Sequence, residues 1–217
     1  MSTKAEIMQQ LKNEILTLAL KPGAILSETV LSERFRISRT PLRDVLKQLA
    51  LESYIDVYPK KGNLVSYIDL DSVEQIIFLR STLEKEIIKS LAGPLPLKGA
   101  LELKDILDKQ EKAIQRENAR EEFLALDDAF HKALFTLAGR ELLWNLIQQA
   151  NVHYVRYRRL HMLKKEKLVA IWKEHRLLLD CMTNRQPERI DELVEHHLHE
   201  DINTQYLQEN FADYTKR

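Results

Sequence analysis

The stretch SERFRISRTPLRDVLKQL, residues 32–49, sets Arg34, Arg36, Arg39 and Arg43 around a serine, a threonine and a proline, where one helical pattern stops and another starts. Ile37-Ser38 reads as a brief turn before a helix of about Arg39 to Glu52. Ser38 or Thr40 is placed to cap that helix, and Pro41 is tolerated in its first turn because the backbone N–H groups there have no intrahelical partner. Leu42, Val45, Leu46 and Leu49 recur at helical spacing and form a face to bury, while Arg39 and Arg43 lie one turn apart at the helix start. In a helix-turn-helix the second helix enters the major groove with its first turns nearest the base edges. An arginine placed there can fork two hydrogen bonds onto guanine. The other reading of each arginine is solvated surface.

Upstream, residues 4 to 20 read as a helix with Ile7, Leu11, Ile15, Leu16 and Leu18 on its apolar face, ended by Lys21-Pro22-Gly23. Ser27 can cap a second helix containing Val30, Leu31 and Phe35. Downstream the period changes: residues 54–58 and 63–68 alternate apolar and polar around Pro59-Lys60-Lys61-Gly62, which predicts a β-hairpin. Lys60 and Lys61 at its tip, beside Gly62, would reach a flanking phosphate or the minor groove. Three helices and a hairpin make a winged helix-turn-helix over residues 1–70, with Arg34, Ser38, Arg39, Thr40, Arg43, Lys60, Lys61 and Gly62 as its candidate DNA-binding residues. From Arg34 to Lys61 seven basic residues face three acidic ones, so a polyanion would dock there.

The whole chain of 217 residues is 44% hydrophobic and 30% charged, and its formal net charge is zero, which argues against indiscriminate coating of nucleic acid. It contains no apolar run of about 18 residues. The opening MSTKAEIMQQLKNEI is polar and periodic rather than built as a signal peptide, so no membrane partner and a cytoplasmic location are expected. The single cysteine, Cys181, lies within an apolar helical pattern and reads as core. After residue 70 six helical segments are expected, about 71–92, 98–117, 119–138, 140–163, 166–183 and 187–206, followed by a polar tail. The fold class is therefore mainly α: an N-terminal winged helix-turn-helix and a C-terminal all-α helical bundle over residues 71–217.

Residues 22–28 (PGAILSE), 31–35 (LSERF), 37–46 (ISRTPLRDVL) and Lys61-Gly62 resemble the DNA-binding domain of GntR-type bacterial transcription regulators over about residues 7 to 68. The resemblance implies sequence-specific operator binding as a dimer, with Arg39, Thr40, Arg43 and Gly62 as contact positions. Ser53 departs from it, since family members usually carry glycine between recognition helix and wing, and a local change in that turn is expected.

In the bundle, Leu124, Asp127, His131, Leu134 and Ala138 form one helical stripe. His175 lies in a stripe with Leu168, Ile171, Leu178 and Met182, and His197 in one with Ile190, Val194 and Asp201. Polar groups on apolar faces are costly without partners. One carboxylate and three imidazoles on three helices that can converge suit zinc, nickel or a similar divalent ion. Satisfied core histidines are the alternative. His196 and His199 fall on a polar face, and His153 and His161 have no evident partners. Residues 127–131 (DDAFH), Glu174-His175 and His197-Leu198 are similar to the FadR-like or FCD effector domain that accompanies one GntR subfamily, over about residues 72 to 210. That resemblance implies a helical bundle holding one metal through Asp127, His131, His175 and His197, with open positions for a small carboxylate effector. Six helices favour the shorter, VanR-like form of that domain, and Arg140 stands where relatives often have asparagine.

The expected function is a ligand-responsive transcription regulator, expected to repress, acting as a homodimer on double-stranded DNA with a palindromic operator. Arg156 and Arg159 are candidates to pair with the carboxylate of a small organic acid effector, with exposed salt-bridged surface as the alternative. Two rivals stand beside it: a metalloenzyme, for which Asp128 is the evident acid or base, and an architectural DNA-binding protein with a purely structural bundle.

Overall fold

The computed structural model describes residues 3–117, 119–199, 207 and 209–216. Three helices open the chain, α1 (Lys4–Leu16), α2 (Glu28–Phe35) and α3 (Arg39–Leu51), and a hairpin of β1 (Ile55–Tyr58) and β2 (Gly62–Val65) follows. The α1 helix starts on a reciprocal cap: the Glu6 N–H donates to the Thr3 hydroxyl and the Thr3 N–H to the Glu6 carboxylate. It stops four residues short of the expected end because the Thr17 hydroxyl donates back to the Asn13 carbonyl and Leu18 turns to φ 62°. Ser27 and Ser38 occupy the N-cap positions of α2 and α3 without making side-chain cap bonds. The apolar faces meet as expected: Ile7, Leu11 and Ile15 of α1, Leu31 and Phe35 of α2, and Leu42, Val45, Leu46 and Leu49 of α3, closed off by Tyr54, Ile55 and Val65 of the hairpin region.

The hairpin register pairs Ile55 with Val65 and Tyr58 with Gly62, and a single bridge from Ile25 to Leu64 extends it. Gly62 takes φ 84° at the wing corner. Ser53 takes φ 62°, the left-handed region that glycine enters freely and an L residue at a cost of about 1–2 kcal/mol. The departure expected at that turn therefore falls on a residue in the left-handed region, where an L side chain is strained.

The chain divides into two compact units: Met1–Val73 with Gln149–Tyr157 and Thr204–Arg217, and Glu74–Gln148 with Arg158–Asn203. Two segments expected in the bundle thus cluster with the winged helix. Within the first unit they hold residues 66–69, just past β2. Arg156 donates to the Ser66 carbonyl at 2.6 Å and to its hydroxyl at 3.0 Å, and the Asp69 N–H donates to His153 Nδ1 at 3.2 Å. From the C-terminal stretch, the Tyr214 carbonyl accepts from the Ile68 N–H and the Lys216 N–H donates to the Ile68 carbonyl.

The remaining helices are α4 (Leu70–Leu91), α5 (Leu97–Ile114), α6 (Ala119–Leu137), α7 (Glu141–Ala150), α8 (Val152–His161), α9 (Lys165–Thr183) and, after a 3-10 turn at Pro187–Arg189, α10 (Ile190–His199). The segment expected as one helix over 140–163 is corrected to two. Asn151 interrupts it, and the Asn151 carbonyl accepts from the Val155 N–H at 2.9 Å, so the residue occupies the start position that asparagine favours. Seven α-helices, not six, follow the hairpin among the described residues, which removes the argument for the shorter form of the domain. Residues 200–206 of the expected last helix lie outside the described residues. In the second unit α5 packs on α6 and α9, and α9 on α10. Cys181 is buried there, as expected.

Candidate metal centre and nucleic-acid interface

The α3 helix presents two faces. Leu42, Val45, Leu46 and Leu49 are buried, and Ser38, Arg39, Thr40 and Arg43 are exposed at its start. Lys60, Lys61 and Gly62 are exposed at the wing tip. Two of the expected contact residues are already engaged. Arg34 forks onto Glu14 of α1, and Arg43 Nε donates to both carboxylate oxygens of Glu28 at 3.1 and 2.9 Å. The Arg43 bond to Glu28 uses Nε and leaves the two terminal nitrogens out of that ion pair.

In the second unit Asp127, His131, His175 and His197 are all buried, at 2, 1, 0 and 7% exposure. The stripes read from sequence put Asp127 and His131 on α6, His175 on α9 and His197 on α10. Their ring nitrogens converge: His197 Nε2 lies 3.2 Å from His175 Nε2 and 3.3 Å from His131 Nε2. Asp127 Oδ1 is 3.6 Å from His175 Nε2.

The opposite nitrogen of each ring faces an acceptor. His197 Nδ1 is 2.7 Å from Glu174 Oε2, His175 Nδ1 is 3.1 Å from Gln110 Oε1, and His131 Nδ1 is 2.8 Å from Glu84 Oε2, a contact off the hydrogen-bond line. A carboxylate only accepts, so the proton of these neutral rings belongs on Nδ1. Three Nε2 lone pairs are then aimed at one point, an arrangement that repels itself unless a cation sits there. Asp127 Oδ1, beside them, is buried without a hydrogen-bond partner, while Oδ2 accepts from Arg158 at 2.9 Å. Three imidazole nitrogens and one unpartnered carboxylate oxygen fit a borderline divalent ion such as zinc or nickel.

Charge around the cluster is arranged in pairs. Burial works to raise the Glu84 carboxyl, but Arg80 and His131 beside it outweigh this and hold it at about 2. Burial lowers His131 and lowers His175 further, where His197, His131, Arg80 and Arg158 add positive repulsion. At His131 and His175 the unprotonated ring that a metal needs is thus the favoured one. Phe130 stacks on His175 with ring centroids 4.3 Å apart, giving that ring an apolar wall.

The two arginines expected to meet an effector sit elsewhere. Arg156 belongs to the first unit and its guanidinium is held by Ser66, and Arg159 pairs with Glu121. The arginine that reaches the ligand set is the one between them: Arg158 donates to Asp127 at 2.9 Å and to Asp128 at 2.6 Å. Its signal was the run Arg156, Arg158, Arg159 on one short helix, in which only the phase decides which guanidinium turns inward. Glu84, Gln110 and Arg80 also went unnoticed as partners, because each is a polar residue whose role depends on a contact far along the chain.

The chain matches the model of the FCD domain over residues 75–200 and that of bacterial regulatory proteins of the gntR family over residues 3–65. It is 35% identical over 182 residues to an uncharacterized HTH-type transcriptional regulator in an unstable DNA locus of Streptomyces ambofaciens, covering 84% of this chain and 76% of that one. It is 29% identical over 198 residues to the HTH-type transcriptional repressor RspR of Escherichia coli (strain K12), covering 90% and 85%. Among solved structures, E. coli McbR/YncC superposes with a TM-score of 0.74 at 22% identity over 97% of this chain and 100% of that one, which speaks for the fold. A putative transcriptional regulator GntR from Rhodococcus sp. RHA1 gives 0.76 at 17% identity, over 94% and 97%.

Proposed function

We propose, from the premise that this chain belongs to the gntR family of bacterial regulatory proteins and carries an FCD domain, that a metal-anchored small carboxylate controls its grip on one operator. That it is a DNA-binding transcription regulator and not an enzyme follows from its relatives and fold neighbours. Among the described residues no helix is long and apolar enough to cross a membrane. The finer reading is repression by a homodimer. Two recognition helices in successive major grooves about 34 Å apart would read a palindrome, and a relative bearing the name repressor supports the direction.

The observation that carries the effector half is the convergence of the three Nε2 atoms with the unpartnered Asp127 Oδ1. When bound, a divalent ion supplies a Lewis-acid anchor for a carboxylate oxygen. The histidines and Asp127 would hold it. Arg80 and Arg158 are buried beside the cluster but are paired with Glu84 and with Asp127 and Asp128, so the charge that would favour an anion over a neutral ligand is that of the bound ion. Coupling is supported by α8, which contributes to both units: Arg156 bonds Ser66 past the wing, and two residues on Arg158 bonds the ligand Asp127. A coupling of about 1–3 kcal/mol would change operator occupancy by roughly 5–150-fold.

The test is selection of random duplexes on zinc-loaded protein, followed by titration of the selected duplex with a panel of small organic acids. Enrichment of a two-fold symmetric site, and an acid that shifts its affinity only when zinc is present, are expected. An acid response that survives removal of the metal would refute the metal-anchored control.

A further inference from the structure

We infer that Glu174, Gln110 and Glu84 are positioning residues that fix the Nδ1–H tautomer of the histidine ligands, and that Glu174 sets the affinity of the centre through His197. The inference rests on the metal reading above and assigns roles to side chains outside the ligand set.

Each histidine has one partner on its outer nitrogen, and each partner comes from a different helix: Glu84 from α4, Gln110 from α5 and Glu174 from α9. Glu174 makes the best-formed of the three contacts, at 2.7 Å from His197 Nδ1 with its Oε2. Its other oxygen, Oε1, lies 3.4 Å from the exposed ring of His196, so the carboxylate is held from both sides. Glu174 is itself adjacent in sequence to His175, so a single helical turn of α9 delivers one ligand and the support for another. An isolated imidazole favours the proton on Nε2, which would point an N–H into the cluster and block a metal. A carboxylate at Nδ1 reverses that preference, fixes the ring plane and makes Nε2 a better donor.

The three supports are chemically unequal. His197 leans on a carboxylate at the protein edge, His131 on a carboxylate that is itself bonded to Arg80 through its other oxygen, and His175 on a neutral amide. Arg80 draws charge from Glu84, and an amide carries none, so Glu174 is the support with the most charge to lend. Unlike that of Glu84, its removal leaves the buried pair with Arg80 intact, which makes it the position to test.

The experiment uses the full chain and zinc alone. Zinc affinity is measured by competition with a chromophoric chelator, and histidine tautomers by long-range 1H–15N correlation on the metal-free protein. Wild type should show His197 protonated at Nδ1. Glu174→Ala should weaken zinc binding by about 10–100-fold and move the His197 proton to Nε2, with its melting curve unchanged. Both changes are required. Affinity within twofold of wild type, or a loss of affinity without a tautomer change, overturns the inference. If Glu174→Ala does not fold, Glu174→Gln replaces it as a neutral acceptor of similar size. It should retain the tautomer and lose several-fold in affinity, and an unchanged affinity there overturns the inference equally. A wild-type chain that binds no zinc removes the metal reading itself, and the tautomer of His197 in Glu174→Ala still decides whether Glu174 positions the ring.

Discussion

Replacing Arg156 with alanine tests whether the segment past the wing is held from α8. Arg156 is fully buried, donates to the Ser66 carbonyl at 2.6 Å and hydroxyl at 3.0 Å, and sits 3.0 Å from His153 Nδ1, which accepts because a guanidinium has only donors. Hydrogen bonds from a charged group contribute about 1.5–3 kcal/mol each, so the three together are worth roughly 4–9 kcal/mol. Against them stands burial of the cation, which pulls Arg156 well below its ordinary value, down to about 10. At about 1.4 kcal/mol per unit that burial costs on the order of 3 kcal/mol. Arg156→Ala should therefore destabilise the chain by about 2–5 kcal/mol, a fall in melting temperature of roughly 5–15 °C for this size of protein. Arg156→Met, which keeps the volume and removes the donors, should lose nearly as much, because the buried Ser66 carbonyl is left without its donor. Calorimetry gives the stability, and hydrogen exchange at the Asp69 amide, which donates to His153, reports the local release. Both variants within 1 kcal/mol of wild type, with Asp69 exchange unchanged, would refute the reasoning.

Arg43→Ala should weaken operator binding by about 1–3 kcal/mol and relax base preference at one position, read by competition among single-base operator variants, and an equal loss on random DNA would assign Arg43 to phosphate alone. His175→Ala should abolish zinc retention measured by metal analysis while the metal-free protein still binds operator, and a variant that retains a full equivalent would sink the ligand assignment. Ser53→Gly should raise stability by about 0.5–1 kcal/mol, because the φ of 62° costs glycine nothing, and a lower melting temperature would contradict that. His153 accepts at Nδ1 from Asp69 and Arg156, and burial with Arg156 lowers it to about 4, so the folded state favours the neutral ring. Its contribution is present above the ordinary value of 6.5 and lost as pH falls toward 4. Urea unfolding of His153→Gln should show a shallower loss between pH 7 and 4.5 than wild type, and an identical slope would reject the assignment.

The parts of this fold that were legible in the sequence are those that depend on neighbours along the chain. The apolar positions of α3 repeat at helical spacing, and so do Asp127 and His131 on α6, so both the reading helix and one edge of the metal cluster could be placed from spacing alone. What spacing does not carry is the rotation of a short helix about its axis. The α8 helix has three arginines within four positions, and a rotation of one or two residues exchanges which of Arg156, Arg158 and Arg159 meets Asp127. Its start was missed for a related reason: Asn151 lies between two apolar helical runs, and only its capping carbonyl shows that the helix begins anew. Spacing assigns no role to Glu84 or Glu174, because their partners lie on α6 and α10, and long-range pairing leaves no period.

The same partners support the proposed metal centre over a purely structural cluster. Buried histidines that serve packing alone can satisfy one another, the Nε2–H of one ring donating to the Nε2 of the next. Here Glu84, Gln110 and Glu174 each stand at an Nδ1, so the protons are drawn to the outside of the triangle and the inside is left with acceptors only. Without a cation that arrangement is worse than leucines of the same volume, since buried polar groups left unpaired cost more than the hydrogen bonds around them return. Asp127 adds a fourth inward acceptor, and Arg158 takes only its outer oxygen. Four acceptors held face to face serve no packing purpose, whereas the proposed ion would use all four.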